Sequence, residues 1–390
     1  MRECYVQIFG LGPGGIGVAV AADTLGVLPK LLSLGAIWFD PFPYRGGMIG
    51  QFGSTIGNSP KADHIEGVSS TGLFAPVLET PIGLWFTQQP DAQPELARVG
   101  ELMRAGQNRL ATLVGGFSQS TIIPARVRSL YWDGTSFASF SEEGRVLAVS
   151  KKVVFATGAR EVPTPELKAL SDAGHIRLVL SGDILSGRIS VTEEEVTIFG
   201  SSHAMAAAVS KLRHVKKIVV LGRNPLRVFY PSEEAARRDG YQYRSEEVCK
   251  RTGRVWRFGG MRYPHAAEVL RRLKDGSLIF VQYDEIFPEL KGLVIQATGQ
   301  VANQIPVYGY RGKLIGPRMR SNGHVFVDAG HCIYDLSGNT IPGAHALGLG
   351  HQPGASPELG GEQAYRGPVT AVNLCFGLSG QAVVRGLLGI

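Results

Sequence analysis

Three glycines at positions 10, 12 and 15 lie in the stretch Tyr5–Ala22, YVQIFGLGPGGIGVAVAA, with the spacing G-x-G-x-x-G. The spacing carries chemistry only in context. Apolar Tyr5, Val6, Ile8 and Phe9 predict a buried strand before it, and Ile16, Val18, Val20 and Ala21 predict an apolar helix after it. In that setting Gly10 allows the tight turn, Gly12 lets backbone approach a pyrophosphate, and Gly15 lets the helix sit close on the strand. Pro13 and Gly14 open the helix, whose first N–H groups and dipole favour a phosphate. A plain glycine turn is the alternative. Asp40 follows a second apolar run, Ala36–Phe39, and lies 25 positions past Gly15. An acidic group there suits the hydroxyls of a ribose. A turn aspartate before Pro41 is the other reading.

The elements that must position these groups follow in order. Pro43 to Pro60 is rich in Gly, Ser and Asn, which is loop chemistry suited to laying backbone on a flat ligand. Glu95 to Leu113 predicts a helix, with Leu96, Val99, Leu102, Met103, Leu110 and Leu113 on one stripe. Ala125–Trp132, Ser136–Ser141 and Arg145–Val149 predict a small antiparallel unit. Another buried strand, VVFA, ends at Thr157 and Gly158.

The 390 residues, 44% hydrophobic and 19% charged, allow two domains with proper cores. The net charge of +7 comes without a dense Lys/Arg run, which argues against nucleic acid. Cys4, Cys249, Cys332 and Cys375 are far apart, so no redox dithiol or zinc knuckle is expected, and scattered thiols suit the cytoplasm. The early first strand argues against a signal peptide, and no apolar run of ~18 residues suggests a membrane span. The nine histidines form no metal motif. No G-x-S-x-G supports a serine hydrolase.

The chain resembles the flavoproteins with two dinucleotide-binding domains, which include flavin and N-hydroxylating monooxygenases and the disulfide reductases. The resemblance rests on A-T-G at strand ends, Ala156–Thr157–Gly158 and again Ala297–Thr298–Gly299, on VTIF followed by GSSHAMAAAVSKL from Gly200, and on HALGLG from His345 to Gly350. It implies two nested Rossmann-like α/β domains: a discontinuous FAD domain, residues 1–165 and 302–390, and an NAD(P) domain, 166–301. It implies FAD at the first turn with Met48 and Gln51 beside the ring, Thr157, Gly158, Gly348 and Leu349 near it, and NADPH at Gly200, Ser201, Ser202 and His203. Thr298 and Gly299 border the second site. Arg223, after the strand KIVVL, stands where a 2′-phosphate would sit. His203 is read equally as a helix cap. Gln51 and His351 are the candidate catalytic groups, with solvated-loop or structural roles as their alternatives.

Three departures shape the expected function. Ser202 stands where the second glycine is expected, so its Cβ would crowd a pyrophosphate. Leu349 replaces the family's Asp. The missing C-x-x-C rules out disulfide reduction, and Leu178–Arg188 lacks the class B monooxygenase signature. The expectation is an FAD-dependent, NADPH-using monooxygenase of a small organic molecule with oxygen as co-substrate. A flavin dehydrogenase or oxidase without oxygen insertion, and a non-catalytic nucleotide-binding scaffold, remain open. So do the substrate and the oligomeric state. The charged stretch Tyr230–Arg251 reads as a solvated helical excursion or a substrate lid.

Overall fold

Apolar runs bounded by glycine turns become the strands of two sheets. The computed structural model describes every residue except 1, 284–288, 355, 357–358, 368 and 370. In the larger sheet the strand Arg2–Phe9 lies between Ala36–Phe39 and Val146–Phe155, parallel to both. Thr121–Ile123 extends the sheet beyond Ala36–Phe39. From the other end of the chain, Ala344–Ala346 pair in parallel with Val153–Phe155. Strands covered on both faces read as continuous apolar runs, which is why VQIF and AIWF were visible in the sequence.

The antiparallel unit grows out of the same sheet. Ser129–Trp132 pairs with Phe137–Phe140, which pairs with the first half of Val146–Phe155. The two strands expected at Arg145–Val149 and VVFA are therefore one strand of ten residues. Its middle is polar, and the hydroxyl and amide N–H groups there are paired while the buried Gln7 Oε1 is not. Buried Gln7 donates through Nε2 to the Ser150 hydroxyl at 2.9 Å, and that hydroxyl donates to the Lys152 carbonyl at 2.7 Å. Lys151 points outward, so the pairing runs on past both lysines.

The second sheet is wholly parallel, in the order Leu278–Gln282, Lys217–Gly222, Glu195–Phe199, Gly292–Gln296, Ile176–Leu180. All its residues come from between the two A-T-G segments. Leu178–Arg188 starts in its edge strand and turns into the helix Ser181–Leu185. The chain crosses between the sheets twice, and the crossings pair with each other: Ala159–Arg160 runs antiparallel to Val301–Ala302.

The helix Pro13–Thr24 is apolar around its whole circumference, and nine of its twelve residues are buried. The helix Leu96–Val114 packs on it through the expected stripe of Val99, Leu102, Met103 and Leu110. The C-terminal helices Val372–Phe376 and Leu378–Leu388 pack on it too. A Cβ on Gly17 would lie 2.6 Å from the Cys375 carbonyl oxygen. Among the described residues no single helix is long and apolar enough to cross a membrane.

Tyr230–Arg251 corrects its expectation. Only Glu233–Arg238 and the 3-10 turn Ser245–Glu247 are helical. The rest folds back, with Tyr230 and Val255 exchanging backbone hydrogen bonds at 3.1 Å each way. Tyr230, Ala236 and Cys249 are buried, as are Val255 and Trp256 just beyond, and all but Cys249 join the core of the second sheet beneath the charged surface.

Candidate functional site

Gly10 sits at φ 106°, and a Cβ there would meet the Ala156 carbonyl oxygen at 2.2 Å. Only glycine satisfies both demands. Gly15 is needed for packing alone, since its Cβ would lie 1.9 Å from the Gly10 carbonyl oxygen. Gly14 faces the end of the last strand, where a Cβ would stand 2.6 Å from the Leu347 carbonyl oxygen. Gly12 is different. A Cβ there would meet nothing nearer than the Gly47 Cα at 3.8 Å, so the space over Gly12 is open to a ligand. The first intrahelical bond is Ile16 N–H to Gly12 C=O at 2.9 Å, so the Gly14 and Gly15 N–H groups precede it and have no partner within the helix.

Asp40 lies beside this turn. Its carboxylate accepts the Leu11 N–H and the Phe42 N–H, both at 2.8 Å. It thus fixes the glycine turn and its own turn at Pro41, which is exposed, and each oxygen keeps a lone pair for a hydroxyl. The loop 43–60 is held down by two elements that sequence reasoning missed. Buried Gln107 accepts the Gly46 N–H at 2.9 Å and donates to the Leu11 carbonyl at 2.7 Å, joining loop and turn. Gly100, on the same helix, receives the loop closely, because a Cβ on Gly46 would stand 2.2 Å from its carbonyl oxygen. The expected ring contacts lie on this loop: Met48 is 58% exposed, and Gln51 is half-buried in the 3-10 turn Ile49–Phe52.

The second turn repeats the first. Gly200 has φ 123°, and a Cβ there would meet the Ala297 carbonyl oxygen at 2.3 Å. Ser202 is the N-cap of the helix His203–Lys211, and its exposed side chain does not cap the helix. Ser201 donates to the Asn224 carbonyl at 3.2 Å, which brings exposed Arg223 next to the turn. Thr298 and Gly299 are exposed beside it, and a Cβ on Gly299 would meet nothing within 4 Å. His203 corrects its reading as a cap, because it is the first helical residue and Ser202 holds the cap position. Its Nδ1 accepts the Arg262 N–H at 3.2 Å, its ring stands 5.5 Å from that of His265, and its Nε2 is enclosed. Burial, with His265 and Arg262 adding to it, pushes its pKa down to about 3.

His351 lies just past the strand Thr340–Ala346. It is fully buried. Its Nδ1 lies 3.0 Å from the Leu349 carbonyl and its Nε2 lies 3.3 Å from the Thr157 hydroxyl. Burial lowers its pKa to about 4, so it is neutral at pH 7. A neutral ring held by these two groups can position the segment. Leu349 is 41% exposed. Gly348, at φ 99°, faces Gly14, with its Cβ position 3.4 Å from the Gly14 Cα. Asn303, also missed, closes the exit from the first sheet. It donates through Nδ2 to the Thr157 carbonyl at 2.9 Å and through its N–H to the Gly158 carbonyl at 2.9 Å, while its own carbonyl accepts the Thr157 hydroxyl at 2.5 Å. Both missed amides act across 61 to 146 residues, a range at which spacing gives no signal.

The structure thus gathers Gly10, Gly12, Gly14, Asp40, Gly47 and Gly348 at one helix N-terminus and Gly200, Ser201, Ser202 and Arg223 at another. Thr157, Gly158 and His351 line the passage out of the first sheet. Among the described residues no group of three His, Cys, Asp or Glu is arranged to hold a metal.

No protein-family model matches the chain. It is 23% identical over 435 aligned positions to the CMP-5′-(3-aminopropyl)phosphonate hydroxylase of Streptomyces rubellomurinus, covering all of this chain and 98% of that one. The FAD-bound cadaverine monooxygenase of desferrioxamine biosynthesis from Erwinia amylovora aligns at TM-score 0.61 and 13% identity, covering 99% of this chain and 95% of that one. The ornithine N-hydroxylase from Kutzneria sp. 744, in complex with reduced FAD, NADP+ and L-ornithine, aligns at TM-score 0.58 and 14% identity, covering 99% of both. The fold is therefore the two-dinucleotide-domain α/β fold that these flavin monooxygenases share.

Proposed function

We propose that the chain is an FAD-dependent, NADPH-using monooxygenase that hydroxylates a small amine-bearing molecule with molecular oxygen. The observation that carries this reading is the repeated turn: two sheets, each offering a helix N-terminus beside a positive-φ glycine that is backed by the carbonyl of an Ala-Thr-Gly strand. The residues fit the two nucleotides. Open space over Gly12 and unpartnered N–H groups at Gly14 and Gly15 suit the FAD pyrophosphate, and Asp40 keeps acceptor capacity for a ribose. Gly158, Gly348 and Leu349 border that nucleotide, and Met48 and Gln51 are the side chains offered to its ring. Ser201, Ser202 and Arg223 suit NADPH, the arginine at the 2′-phosphate. Bound FAD supplies hydride acceptance and oxygen activation. The protein's part is to hold both nucleotides and keep water out.

The division into residues 1–165 with 302–390 and residues 166–301 is our reading of the domains, supported by the paired crossings at Ala159–Arg160 and Val301–Ala302. The cytoplasm is the proposed location, on the strength of four cysteines unpaired with one another. The amine substrate is suggested by the relatives named for ornithine, cadaverine and an aminopropylphosphonate.

The test is the purified protein's visible spectrum, followed by oxygen uptake against NADPH oxidation. A bound flavin and oxygen consumption that yields a hydroxylated amine are expected. Colourless protein that takes up no added FAD overturns the reading. Turnover that persists without oxygen transfers it to a dehydrogenase.

A further inference from the structure

The loop 43–60, which offers Met48 and Gln51 to the flavin, is held from two sides. Gln107 holds its first half, beside the Gly12 turn. Its second half rests on the other unit. A Cβ on Gly182 would lie 3.6 Å from the Phe52 ring, and the Thr55 hydroxyl donates to the Leu185 carbonyl at 3.4 Å. Lys211 donates to the Ser54 hydroxyl at 2.8 Å, and Arg262 donates through Nε to the Asn58 carbonyl at 2.6 Å.

Arg262 is an unusual group to bury, at 7% exposure. Its other guanidinium nitrogens donate to the Trp256 carbonyl at 3.4 Å and to the Arg257 carbonyl, and the fork lies 3.7 Å from the centre of the Phe229 ring. Among the described residues no carboxylate pairs with it. The nearby acids are engaged elsewhere. Glu362 accepts the Phe258 and Gly259 N–H groups at 3.0 and 2.8 Å, and Asp63 stands 3.7 Å from Arg254. Burial pushes the Arg262 pKa down to about 9, which leaves the group charged at pH 7. A buried charge without a counter-ion is a poor source of stability. What it supplies is geometry: a planar fork bonded to carbonyls of two separate segments fixes one against the other.

Arg262 also reaches the second turn. Its N–H donates to Nδ1 of His203 at 3.2 Å, and His203 is the first residue of the helix whose N-terminus is offered to NADPH. Lys211 is the last residue of that helix. One helix therefore grips the flavin-side loop from both ends, at Asn58 through Arg262 and at Ser54 through Lys211. We infer that Arg262 is a positioning residue that couples the two nucleotide sites. NADPH at the second turn fixes the helix, and Arg262 passes that order to the loop beside the flavin, which sets the flavin for reduction. The inference rests on the monooxygenase reading for the two nucleotides.

The test follows loop and flavin separately, on the FAD-loaded protein. Hydrogen exchange reads the loop. Saturating NADP+ should slow amide exchange in residues 50–58 by about tenfold or more in the wild type and by less than about twofold in Arg262→Gln. Anaerobic stopped-flow absorbance reads the flavin. Arg262→Gln should lower the limiting rate of reduction by NADPH about tenfold or more, and change the Kd for NADPH by less than about threefold. Arg262→Lys, whose ammonium keeps the charge and reaches one carbonyl, should recover part of that rate. A role confined to folding would instead lower flavin content and NADPH affinity together, with no rescue by lysine, and would overturn the inference. Should Arg262→Gln fail to fold, Lys211→Ala carries the same test from the exposed end of the helix and should about halve the exchange response. Wild-type exchange response and reduction rate in the folded variant overturn the inference, as does a wild-type loop that ignores bound NADP+. Failure of the wild type to bind FAD or NADP+ is a separate result, which overturns the monooxygenase reading and this inference with it.

Discussion

At Gly12 the helix N-cap backbone has φ −75° and ψ −164°, and at Ser202 it has φ −95° and ψ −174°. Neither position needs glycine for its own conformation. The first position needs it in both turns, because Gly10 and Gly200 combine positive φ with a carbonyl within about 2.3 Å of the missing Cβ. The turns part at the third position. Gly15 would put a Cβ 1.9 Å from the Gly10 carbonyl oxygen, whereas the counterpart of Gly15 is Met205, fully buried in the core of the second unit. A helix carrying a Cβ there cannot approach its turn as closely as the first helix does. Gly14 is also pressed by the Leu347 carbonyl, while its counterpart Ala204 carries a side chain. The first turn is thus built for closest contact and the second is looser, which suits a resident flavin beside an exchanging NADPH.

The change that tests the difference most severely is Gly15→Ala. Its Cβ has backbone on the clashing side, so the helix must move. A loss of about 3–5 kcal/mol of stability, with loss of bound flavin, is expected by denaturant unfolding and absorbance. Met205→Ala should leave the second turn formed and cost about 2–3 kcal/mol as an ordinary core truncation. Equal flavin loss in both variants would erase the distinction.

Acid tests what the turns share. Each has a histidine of lowered pKa behind it, His203 at about 3 and His351 at about 4, against an unfolded value near 6.5. These folded-state values are depressed because burial disfavours the charged ring. The unfolded chain therefore binds more protons at low pH. The stability contribution is fully present above pH ~6.5 and is lost as pH falls towards the folded values. For fully buried His351 the loss approaches about 1.4 kcal/mol per pH unit. Urea unfolding at pH 7, 6 and 5 should show the wild type losing its advantage over His351→Gln as pH falls. A constant gap would mean that the folded ring titrates as the unfolded one does and that burial does not depress its pKa.

Arg223 sharpens the assignment of the second turn. It is exposed beside Ser201 and Asn224, with its own carbonyl accepting the Gln282 amide at 3.3 Å. Arg223→Ala should raise KM for NADPH about tenfold and leave KM for NADH within about twofold, the signature of a lost phosphate contact. Equal effects on both would remove the arginine from the 2′-phosphate.

Much of this comparison was legible in the sequence, because strand, turn and helix are consecutive and each glycine's task is local. VQIF and AIWF are wholly buried, and VTIF and KIVVL are buried at Val196, Ile198, Phe199, Ile218, Val220 and Leu221. What escaped was long-range. Gln107 and Asn303 look like ordinary polar residues, and their roles appear only when Gly46 and Leu11, or Thr157 and Gly158, are brought to them. The surroundings of His351 and His203 were not legible, since burial of a loop histidine is decided by what packs over it. The Gly/Pro-rich stretch 351–361, which the sequence suggests as a cover for the flavin, lies partly outside the described residues, at 355, 357 and 358. The core beneath Tyr230–Arg251 was hidden by its surface charge, because Cys249, Val255 and Trp256 are spaced by a fold-back and not by a helical period.

The smallest expected effect concerns Ser202, where the sequence pointed to crowding of a pyrophosphate. The backbone there already matches that at Gly12, and the side chain is exposed with only a 3.5 Å contact to the Ala297 carbonyl. Ser202→Gly should therefore shift KM for NADPH by less than about threefold, with no change in flavin content. The reciprocal change, Gly12→Ser, fills space that the structure leaves open over the first turn, where the nearest atom to a Cβ is 3.8 Å away. It should leave the protein folded but lower flavin retention at least tenfold, because the added group would occupy the position of the phosphate and not that of protein. The pair isolates ligand from fold. A tenfold tightening of NADPH in Ser202→Gly would show that the second turn is crowded as the first would be. Full flavin retention in Gly12→Ser would show that the open space over Gly12 is not where the pyrophosphate lies.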